Sequence, residues 1–216
     1  MFTTKTLAIG MFAAALYASP AAAQEAPTNW YVHGGLTRLS LADEIKLNFA
    51  GAPVPGADIH TKPSYTPTVQ VGRYVGHNVA VSLTVGLPPH IEIQGRGTLQ
   101  PFGKLAETTY GPCVLTLQYH PVRTGPIQPY IGAGAAYMII FSTKDAAFQN
   151  VRIANDLAPA LEAGTDIMIG RRVGLFVDAK KAFLRTTATG TFGGAPVVGK
   201  VRLDPWAFTA GVSVHF

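Results

Sequence analysis

The sequence predicts an all-β protein, an eight-stranded antiparallel transmembrane β-barrel with short periplasmic turns and longer extracellular loops. Three observations predict it. First, apolar residues alternate strictly with small or polar residues in several segments. Second, the connections between these segments alternate between short and long. Third, 48% of the residues are hydrophobic, while only 13% are charged. Strands that alternate in this way have different environments on their two faces. In a membrane barrel one face meets lipid and the other faces the lumen.

The alternation defines the individual strands. In the last segment, 208–216, every second residue is apolar, and the residues between them are small or polar. The third segment repeats this pattern, with Val81, Leu83 and Val85 on one face and Ser82 and Thr84 on the other. The eight predicted strands cover roughly residues 30–40, 66–76, 78–87, 107–120, 127–142, 155–170, 172–186 and 201–216.

The connections between the predicted strands alternate in length. Short ones lie at 76–78, 121–126 and 170–172, and long ones at about 41–65, 88–106, 143–154 and 187–200. This alternation is typical of transmembrane barrels with an even number of strands. A soluble barrel such as a lipocalin could have the same strand count, but its interior is filled with apolar side chains. Here the inward positions include charged and amide side chains, which favour a lumen over a dry core.

The N-terminal segment predicts a secretory signal peptide over 1–23, cleaved after Ala23, and a single barrel domain over 24–216. Lys5 precedes an apolar stretch at 7–18, and Pro20 and a run of alanines follow it. This order of a basic start, a short apolar region and small residues is the signature of a signal peptide. The apolar stretch has 12 residues, whereas a transmembrane helix needs about 20. A buried N-terminal helix is the alternative, and the proline disfavours it.

Charge and cysteine content exclude several classes of function. The formal net charge is +5, and the basic residues are scattered without interleaved aromatic residues, so no nucleic-acid binding is predicted. Basic residues in loops would suit an anionic lipopolysaccharide surface. The single cysteine, Cys113, excludes an intrachain disulfide, and we interpret it as a small hydrophobe because its neighbours are apolar. No cofactor is predicted.

The histidines give one group that could carry chemistry. His33 lies on the first predicted strand, and Ser213 and His215 on the last, which pairs with the first in a closed barrel. Acyl transfer would need such a Ser–His pair with a supporting carboxylate. The group faces inward, away from a lipid substrate, so no catalytic residue and no enzyme are predicted. Neither a His-x-x-x-His nor a Cys spacing accompanies the histidines, so no metal site is predicted either.

Four segments resemble the OmpW family of outer-membrane proteins. The end of the chain, Val-Arg-Leu-Asp-Pro-Trp followed by the strand to residue 216, is similar to the closing strand of the family. The segment 128–137, Gln-Pro-Tyr-Ile-Gly-Ala-Gly-Ala-Ala-Tyr, resembles its fifth strand, and 110–120 resembles its fourth. The segments 110–120 and 86–95 are particularly similar to the branch associated with alkane uptake. The resemblance spans about 79–216, while the first strand and loop match loosely.

The resemblance implies an outer-membrane channel for the passive uptake of small hydrophobic molecules. The solute would enter from outside and leave sideways through the barrel wall into the bilayer. A structural, adhesive or receptor barrel without transport is the alternative. An eight-stranded barrel is too narrow for an open aqueous pore, so a general porin is not expected. The implied partners are outer-membrane lipid and lipopolysaccharide, the barrel-assembly machinery and small hydrophobic solutes.

Parity along the strands predicts which residues face the lumen. The candidates for the channel are Leu39, Val114, Thr116, Met138, Ile140 and Phe176, although plain packing inside a filled barrel would explain them as well. A polar cluster in the lower lumen is predicted from Glu162, Asp166, Asp178 and Lys180. We interpret this cluster as a structural charge network in a narrow interior rather than as an ion path. Lys180 stands where the family has a large apolar residue, which argues against a simple hydrophobic gate.

Two further sets of residues have predicted roles. Proline lacks the N–H that a strand ladder needs, so prolines mark candidate lateral openings. The alternative is that they only end strands or lie at bulges. These prolines are Pro88, Pro89, Pro112 and Pro159. In this class of protein a terminal aromatic strand resembles the signal read by the assembly machinery, which assigns that role to Phe208, Val212, Val214 and Phe216.

Overall fold

The structure is a computed structural model that describes residues 29–42 and 44–216. The predicted signal peptide, 1–23, lies outside the described residues. Within those two ranges, no helix is long and apolar enough to cross a membrane. A single 3₁₀ turn, Gln100–Phe102, interrupts the strands that the structure describes.

The described residues form fifteen strands. In chain order they are β1 (Trp30–Ser40), β2 (Glu44–Phe49), β3 (Ala52–Pro53), β4 (Ala57–Thr61), β5 (Ser64–Tyr74), β6 (Val79–Gly86), β7 (His90–Gly97), β8 (Lys104–Tyr119), β9 (Ile127–Asp145), β10 (Gln149–Ile153), β11 (Asp156–Met168), β12 (Val173–Ala182), β13 (Arg185–Phe192), β14 (Ala195–Arg202) and β15 (Trp206–His215).

Eight of these strands close into an antiparallel barrel. Around the wall the order is β1, β5, β6, β8, β9, β11, β12 and β15. β15 then pairs with β1, in a register that runs from Tyr31 opposite His215 to Ser40 opposite Trp206. Closure removes the free edges that an open sheet would present. The predicted eight-stranded antiparallel barrel is therefore confirmed.

The outer face of the wall is apolar and exposed. In β6, Val81, Leu83 and Val85 point outward, while Ala80 and Ser82 are fully buried inside. The same alternation continues on the neighbouring strands of the wall, as predicted for β8 and β12. Large apolar side chains on the outside of a closed barrel are those expected of a wall that faces lipid.

The long connections form strands above the barrel. β10, β13, β14, β2 and β3 make a second, five-stranded sheet, and β4 with β7 extends the sheet beside the upper part of β8. Apolar side chains pack between these layers, and the buried ones are Leu47, Ile59, Leu99, Leu105, Val197 and Val201. The extracellular end of the barrel is thus an ordered extension of the wall.

The predicted bounds of the last two barrel strands were wrong. The seventh strand was expected to continue to residue 186 and the eighth to begin at 201, but β12 ends at Ala182 and β15 begins at Trp206. Most of the residues between them belong to the β13–β14 hairpin. Pro205 has no backbone donor, and Asp204 has a φ of 29°, so a regular strand cannot pass from the hairpin into the barrel.

Glycines in the lower wall make room for tyrosines in the lumen. Tyr31 lies opposite Gly72 in the register of β1 and β5, and its ring covers the glycine so closely that a Cβ at this position would collide with it. Tyr130 covers Gly164 in the same way, and a Cβ would lie 2.5 Å from its ring. Both tyrosines are almost fully buried. These two pairs allow the narrow lumen to hold large aromatic side chains.

We predict that Gly72→Ala destabilises the barrel by about 1–3 kcal/mol, the usual range for an overpacked interior. The added Cβ would displace the ring of Tyr31 from its place in the lumen. The free energy of unfolding, measured by denaturant titration of the refolded protein in micelles, checks this.

The matched control is Gly76→Ala, where the nearest atom to a new Cβ is Cβ of Val79 at 3.8 Å. This variant should change stability by less than about 0.5 kcal/mol. Equal stabilities of the two variants would show that the contact between Tyr31 and Gly72 does not constrain the lumen.

Candidate functional site

The upper half of the lumen contains an apolar cavity. It has a volume of about 60 Å³. Leu39, Val114 and Met138 are among its lining residues, and Lys180 lies at its border. Inward threonines at positions 37, 66, 68, 84 and 209 complete part of the wall. The cavity is therefore bounded mostly by small or apolar side chains, and its charged lining residues are Lys180 and Lys181.

A second apolar cavity of about 90 Å³ lies between the loop sheets. Ile45, Ile59, Ile91, Leu105 and Ile140 are among the side chains that line it. Tyr110 and Met138 line both cavities, so the two adjoin. Together they form an apolar column that leads from the extracellular loops into the barrel. The hydroxyl of Tyr110 is buried in this column without a hydrogen-bond partner among the described residues.

The lower half of the lumen is filled by a polar network. Nζ of Lys180 lies 2.9 Å from Oε1 of Glu162 and 2.6 Å from Oδ1 of Asp178. The hydroxyl of Tyr130 donates to Oδ2 of Asp178 at 3.2 Å, and Thr116 donates to Oε2 of Glu162 at 2.5 Å. All five side chains are buried. Because each charge has an opposite charge or a hydrogen bond beside it, the network can exist in a dry interior.

The six predicted channel residues are divided between these two regions. Leu39, Val114, Met138 and Ile140 line the apolar column. Thr116 and Phe176 lie lower, in the polar half. Thr116 hydrogen-bonds to Glu162, and the ring of Phe176 stacks on His33 with the ring centroids 4.3 Å apart. All six face inward, but two of them do not border the column.

Asp166 does not belong to the group around Lys180, contrary to the prediction. Its carboxylate lies 3.0 Å from Nε2 of His33 and 3.2 Å from Nε2 of His215. The reason is its position on β11, four residues beyond Glu162, which corresponds to about 13 Å along a strand. In the register with β12, Glu162 is opposite Lys180, whereas Asp166 is opposite Phe176 near the periplasmic turn.

The group of Ser213, His215 and Asp166 does not have the geometry of a catalytic triad. Oγ of Ser213 lies 3.0 Å from Nε2 of His215, and Oδ2 of Asp166 lies 3.2 Å from the same nitrogen. In a triad the serine and the carboxylate bind opposite nitrogens of the imidazole, so that one activates the serine and the other orients the ring. This arrangement cannot relay a proton in that way.

The wall of the barrel has a discontinuity between β6 and β8. The ladder of β6 with β8 ends at Val85 opposite Cys113, and the ladder of β7 with β8 begins at His90 opposite Thr109. In the interval, Leu87 binds to β5 instead. Its N–H donates to the carbonyl of Pro67 at 3.0 Å, and its carbonyl accepts from Thr66 Oγ at 2.6 Å.

Prolines lie on all sides of this discontinuity. Pro88 and Pro89 follow Leu87, Pro112 lies on the facing part of β8, and Pro67 lies on β5. None of them can donate a backbone hydrogen bond across the interval. Pro112 also lines the upper cavity, so the discontinuity adjoins the apolar column. The sequence alone does not single out Pro67, because it falls near the start of a regular strand.

Pro159 differs from the other three predicted prolines. It stays in register with Ala135 of β9, and its carbonyl accepts a hydrogen bond from the N–H of Phe183 at 3.1 Å. Both neighbouring segments therefore remain attached at this point. The chemistry of proline alone suggested a lateral opening at Pro159, but the strand pairing is continuous there and does not support one.

Several residues of the site were not predicted. Tyr110 has the same parity as Val114 and could have been found from the alternation of β8. Gln70 and Tyr31 are inward by parity as well, but only their contacts give them a role: Gln70 donates to Glu162 at 2.9 Å, and Tyr31 donates to Gln118. Leu184 enters the column from the segment after β12. It has the same parity as Phe176 in the predicted seventh strand and could have been found from that alternation.

Comparison with known proteins gives a consistent result. Residues 28–216 match the sequence model of the OmpW family. The chain is 33% identical over 199 residues to the dibenzothiophene metabolism operon protein PahQ of Pseudomonas aeruginosa, with 92% of this chain and 93% of PahQ covered. It is 30% identical over 189 residues to outer membrane protein AlkL of Ectopseudomonas oleovorans, with 87% and 82% covered. The crystal structure of OprG from Pseudomonas aeruginosa has the same fold, with a TM-score of 0.81, 22% identity, and 88% and 96% covered.

We predict that Lys180→Met destabilises the barrel by about 3–5 kcal/mol, the usual effect of breaking a buried ion pair from one side. The variant leaves Glu162 and Asp178 close together without their cation. Denaturant titration in micelles measures the loss.

The control is Lys200→Met on the exposed face of β14, which should change stability by less than about 0.5 kcal/mol. Adding Glu162→Gln and Asp178→Asn to Lys180→Met should recover part of the loss, because the uncompensated charges disappear. A triple variant less stable than Lys180→Met would contradict the charge argument.

Proposed function

Because the chain belongs to the OmpW family, we propose that it is a channel for the passive uptake of small hydrophobic molecules. The protein is an integral β-barrel of the bacterial outer membrane. Among its relatives, PahQ is named after an operon for the metabolism of dibenzothiophene, an apolar aromatic compound. That name supports hydrophobic solutes as the class that this chain would carry.

The apolar column is the observation that carries the proposal. It begins between the loop sheets and ends in the barrel above Lys180, and it is lined almost entirely by aliphatic, aromatic and threonine side chains. The lipopolysaccharide layer outside the membrane is polar and charged, so it slows apolar solutes. A column of this kind offers such solutes a path past that layer, since apolar molecules transfer from water into apolar surroundings favourably.

The exit that we propose is lateral. Below the column, an apolar solute would have to displace the network of Lys180, Glu162 and Asp178, and separating buried charges is costly. Beside the column, the wall is interrupted between Gly86 and His90, where the pairing with β8 is absent. The hydrocarbon of the bilayer lies on the far side of that interval. The solute therefore leaves through the wall into lipid.

Further partners are proposed from the outer surface. Phe208, Val212, Val214 and Phe216 are exposed on the lipid-facing side of the closing strand. We assign them to recognition by the barrel-assembly machinery, which must read a surface that is accessible before closure. Exposed basic side chains on the loop strands, such as Lys200 and Arg202, suit contact with lipopolysaccharide phosphates.

We predict that Met138→Arg lowers uptake by more than about tenfold, since each additional 1.4 kcal/mol of barrier slows a step tenfold. The side chain of Met138 borders both cavities, and a guanidinium there would place a charge in the column where the two cavities adjoin. Initial rates of n-octane uptake in cells that carry the variant, the parent protein or no protein measure the effect.

The matched control is Gln149→Arg, which adds the same charge at an exposed position of β10, outside both cavities. It should transport like the parent protein. Equal uptake with and without the inserted parent barrel would instead support the structural or adhesive alternative.

We predict that restoring backbone donors at the discontinuity also slows uptake. The triple variant Pro88→Ala, Pro89→Ala and Pro112→Thr supplies three N–H groups with which β6, β7 and β8 can extend their ladder. If solutes leave through this interval, the rate of n-octane uptake should fall several-fold while the apolar column stays intact.

Pro159→Thr is the control for this experiment, because both neighbours of Pro159 are already attached. It should leave uptake unchanged. Normal uptake by the triple variant, with Met138→Arg still inactive, would exclude exit at the discontinuity and keep the column.

A further inference from the structure

Three ligating side chains meet in the lower lumen. They are His33 of β1, Asp166 of β11 and His215 of β15, and one ligand atom from each lies within 4.8 Å of the others. Nε2 of His33 is 3.0 Å from Oδ1 of Asp166, and Nε2 of His215 is 3.2 Å from Oδ2. The exposed fractions of these residues are 1%, 0% and 5%, so water does not solvate the group.

The neighbouring hydrogen bonds fix the tautomer of His33. Glu162, paired with Lys180, can only accept hydrogen bonds, so Gln70 must turn its NH₂ group toward Oε1 of Glu162, 2.9 Å away. The carbonyl oxygen of Gln70 then faces Nδ1 of His33 at 3.2 Å. Nδ1 must therefore carry a proton and donate, so a neutral ring has its lone pair on Nε2.

That lone pair faces an acceptor. Nε2 of His33 and Oδ1 of Asp166 are 3.0 Å apart, yet neither atom has a hydrogen-bond partner among the described residues. In the neutral ring, the lone pair and the carboxylate oxygen repel each other at this distance. Oδ2 of Asp166 contacts His215, but Oδ1 is then buried without a donor, which is costly. A cation bound by both atoms would remove this repulsion.

We propose that His33, Asp166 and His215 bind a divalent transition-metal ion, for which Zn²⁺ is the best match. Two imidazole nitrogens and one carboxylate oxygen are ligands that Zn²⁺ takes at about 2.0–2.2 Å. A tetrahedral ion at such distances holds its ligands about 3.4 Å apart, close to the nitrogen–oxygen separations of 3.0 and 3.2 Å between the histidines and Asp166. The contact from Gln70 to Nδ1 of His33 is the outer-shell partner that usually orients a ligating histidine.

The sequence predicted no metal site because it shows His33 and His215 without a ligand spacing. The third ligand, Asp166, lies on β11 and is 49 residues before His215 in the sequence. Once bound, the ion would join β1 to β15 at the closing seam of the barrel and tie both to β11. The site lies below the apolar column, so the proposal does not depend on the proposed transport.

The experiment uses the folded full-length barrel, without an affinity tag, in micelles freed of metal. Titration with ZnCl₂ and metal analysis after dialysis should give one Zn²⁺ per barrel, and Zn²⁺ should raise the unfolding temperature. His215→Asn removes a ligand but keeps a polar side chain. It should weaken Zn²⁺ binding by at least about 10–100-fold, the loss seen even for outer-shell partners.

His120→Asn is the matched control. His120 is another buried lumen histidine, but its nitrogens bind Tyr74 at 3.3 Å and Gln118 at 3.1 Å. This variant should keep the Zn²⁺ affinity of the parent protein. Equal weakening by His120→Asn and His215→Asn would overturn the proposed site.

Two measurements on the parent protein keep the test decisive if His215→Asn does not fold. Co²⁺ should bind with the visible absorption of a low-symmetry nitrogen and oxygen site, and Zn²⁺ should displace it. Nitrogen-15 NMR of the metal-free barrel should show His33 protonated on Nδ1 alone. Less than about 0.1 Zn²⁺ per barrel would overturn the proposal. A His33 ring protonated on both nitrogens would overturn it as well, because a proton on Nε2 would then take the place of the metal ion.

Discussion

Closure of the strand ladder between β1 and β15 is the constraint on which the remaining structure depends. In the bilayer no water is available for unpaired backbone groups, so a membrane-spanning sheet must pair every strand on both sides. β1 meets this requirement by pairing with β15 on one side and β5 on the other along nearly its whole length. The register of that closure decides which residues face lipid and which face the lumen. Thr37 marks the seam, since its hydroxyl lies 2.7 Å from those of both Thr68 and Thr209.

A barrel of eight strands has a narrow interior, and here its lower half is polar and its upper half is apolar. In the lower half, large side chains such as Tyr31 and Tyr130 fit only because glycines face them, and buried charges are paired around Lys180. In the upper half, apolar residues leave open space that continues between the loop sheets. The polar half supplies the rigidity and the seal, and the apolar half supplies the cavity. The same closed wall thus encloses a polar region and an apolar region, which lie at different levels along the barrel axis.

The sequence predicts most of the wall, because lipid and lumen impose a strict alternation on each strand. The outward residues of β6 and the inward position of Met138 follow from parity alone. Parity does not give the stagger between neighbouring strands. For this reason the sequence groups Asp166 with Lys180, whereas in the structure Asp166 contacts His33 and His215. Prolines show the same limit: Pro88 and Pro159 are chemically alike, but only the pairing around them separates an interrupted ladder from a continuous one. The sequence also does not separate the β13–β14 hairpin from the barrel strands, because the alternation of its residues resembles that of the wall.

The positions of the seam, the polar network and the discontinuity explain how an open interval in the wall can be stable. The discontinuity lies between β6 and β8, away from the seam between β1 and β15. Leu87 keeps its backbone bonds by turning to Pro67 and Thr66 on β5, so the interval leaves few polar groups unpaired. Below it, Thr116 of β8 and Gln70 of β5 both bind Glu162 of β11, which holds the two sides of the interval together across the lumen. The polar network therefore does more than close the lower lumen: it fixes strands β5, β8 and β11 at one height, and this permits the wall to be interrupted at the next.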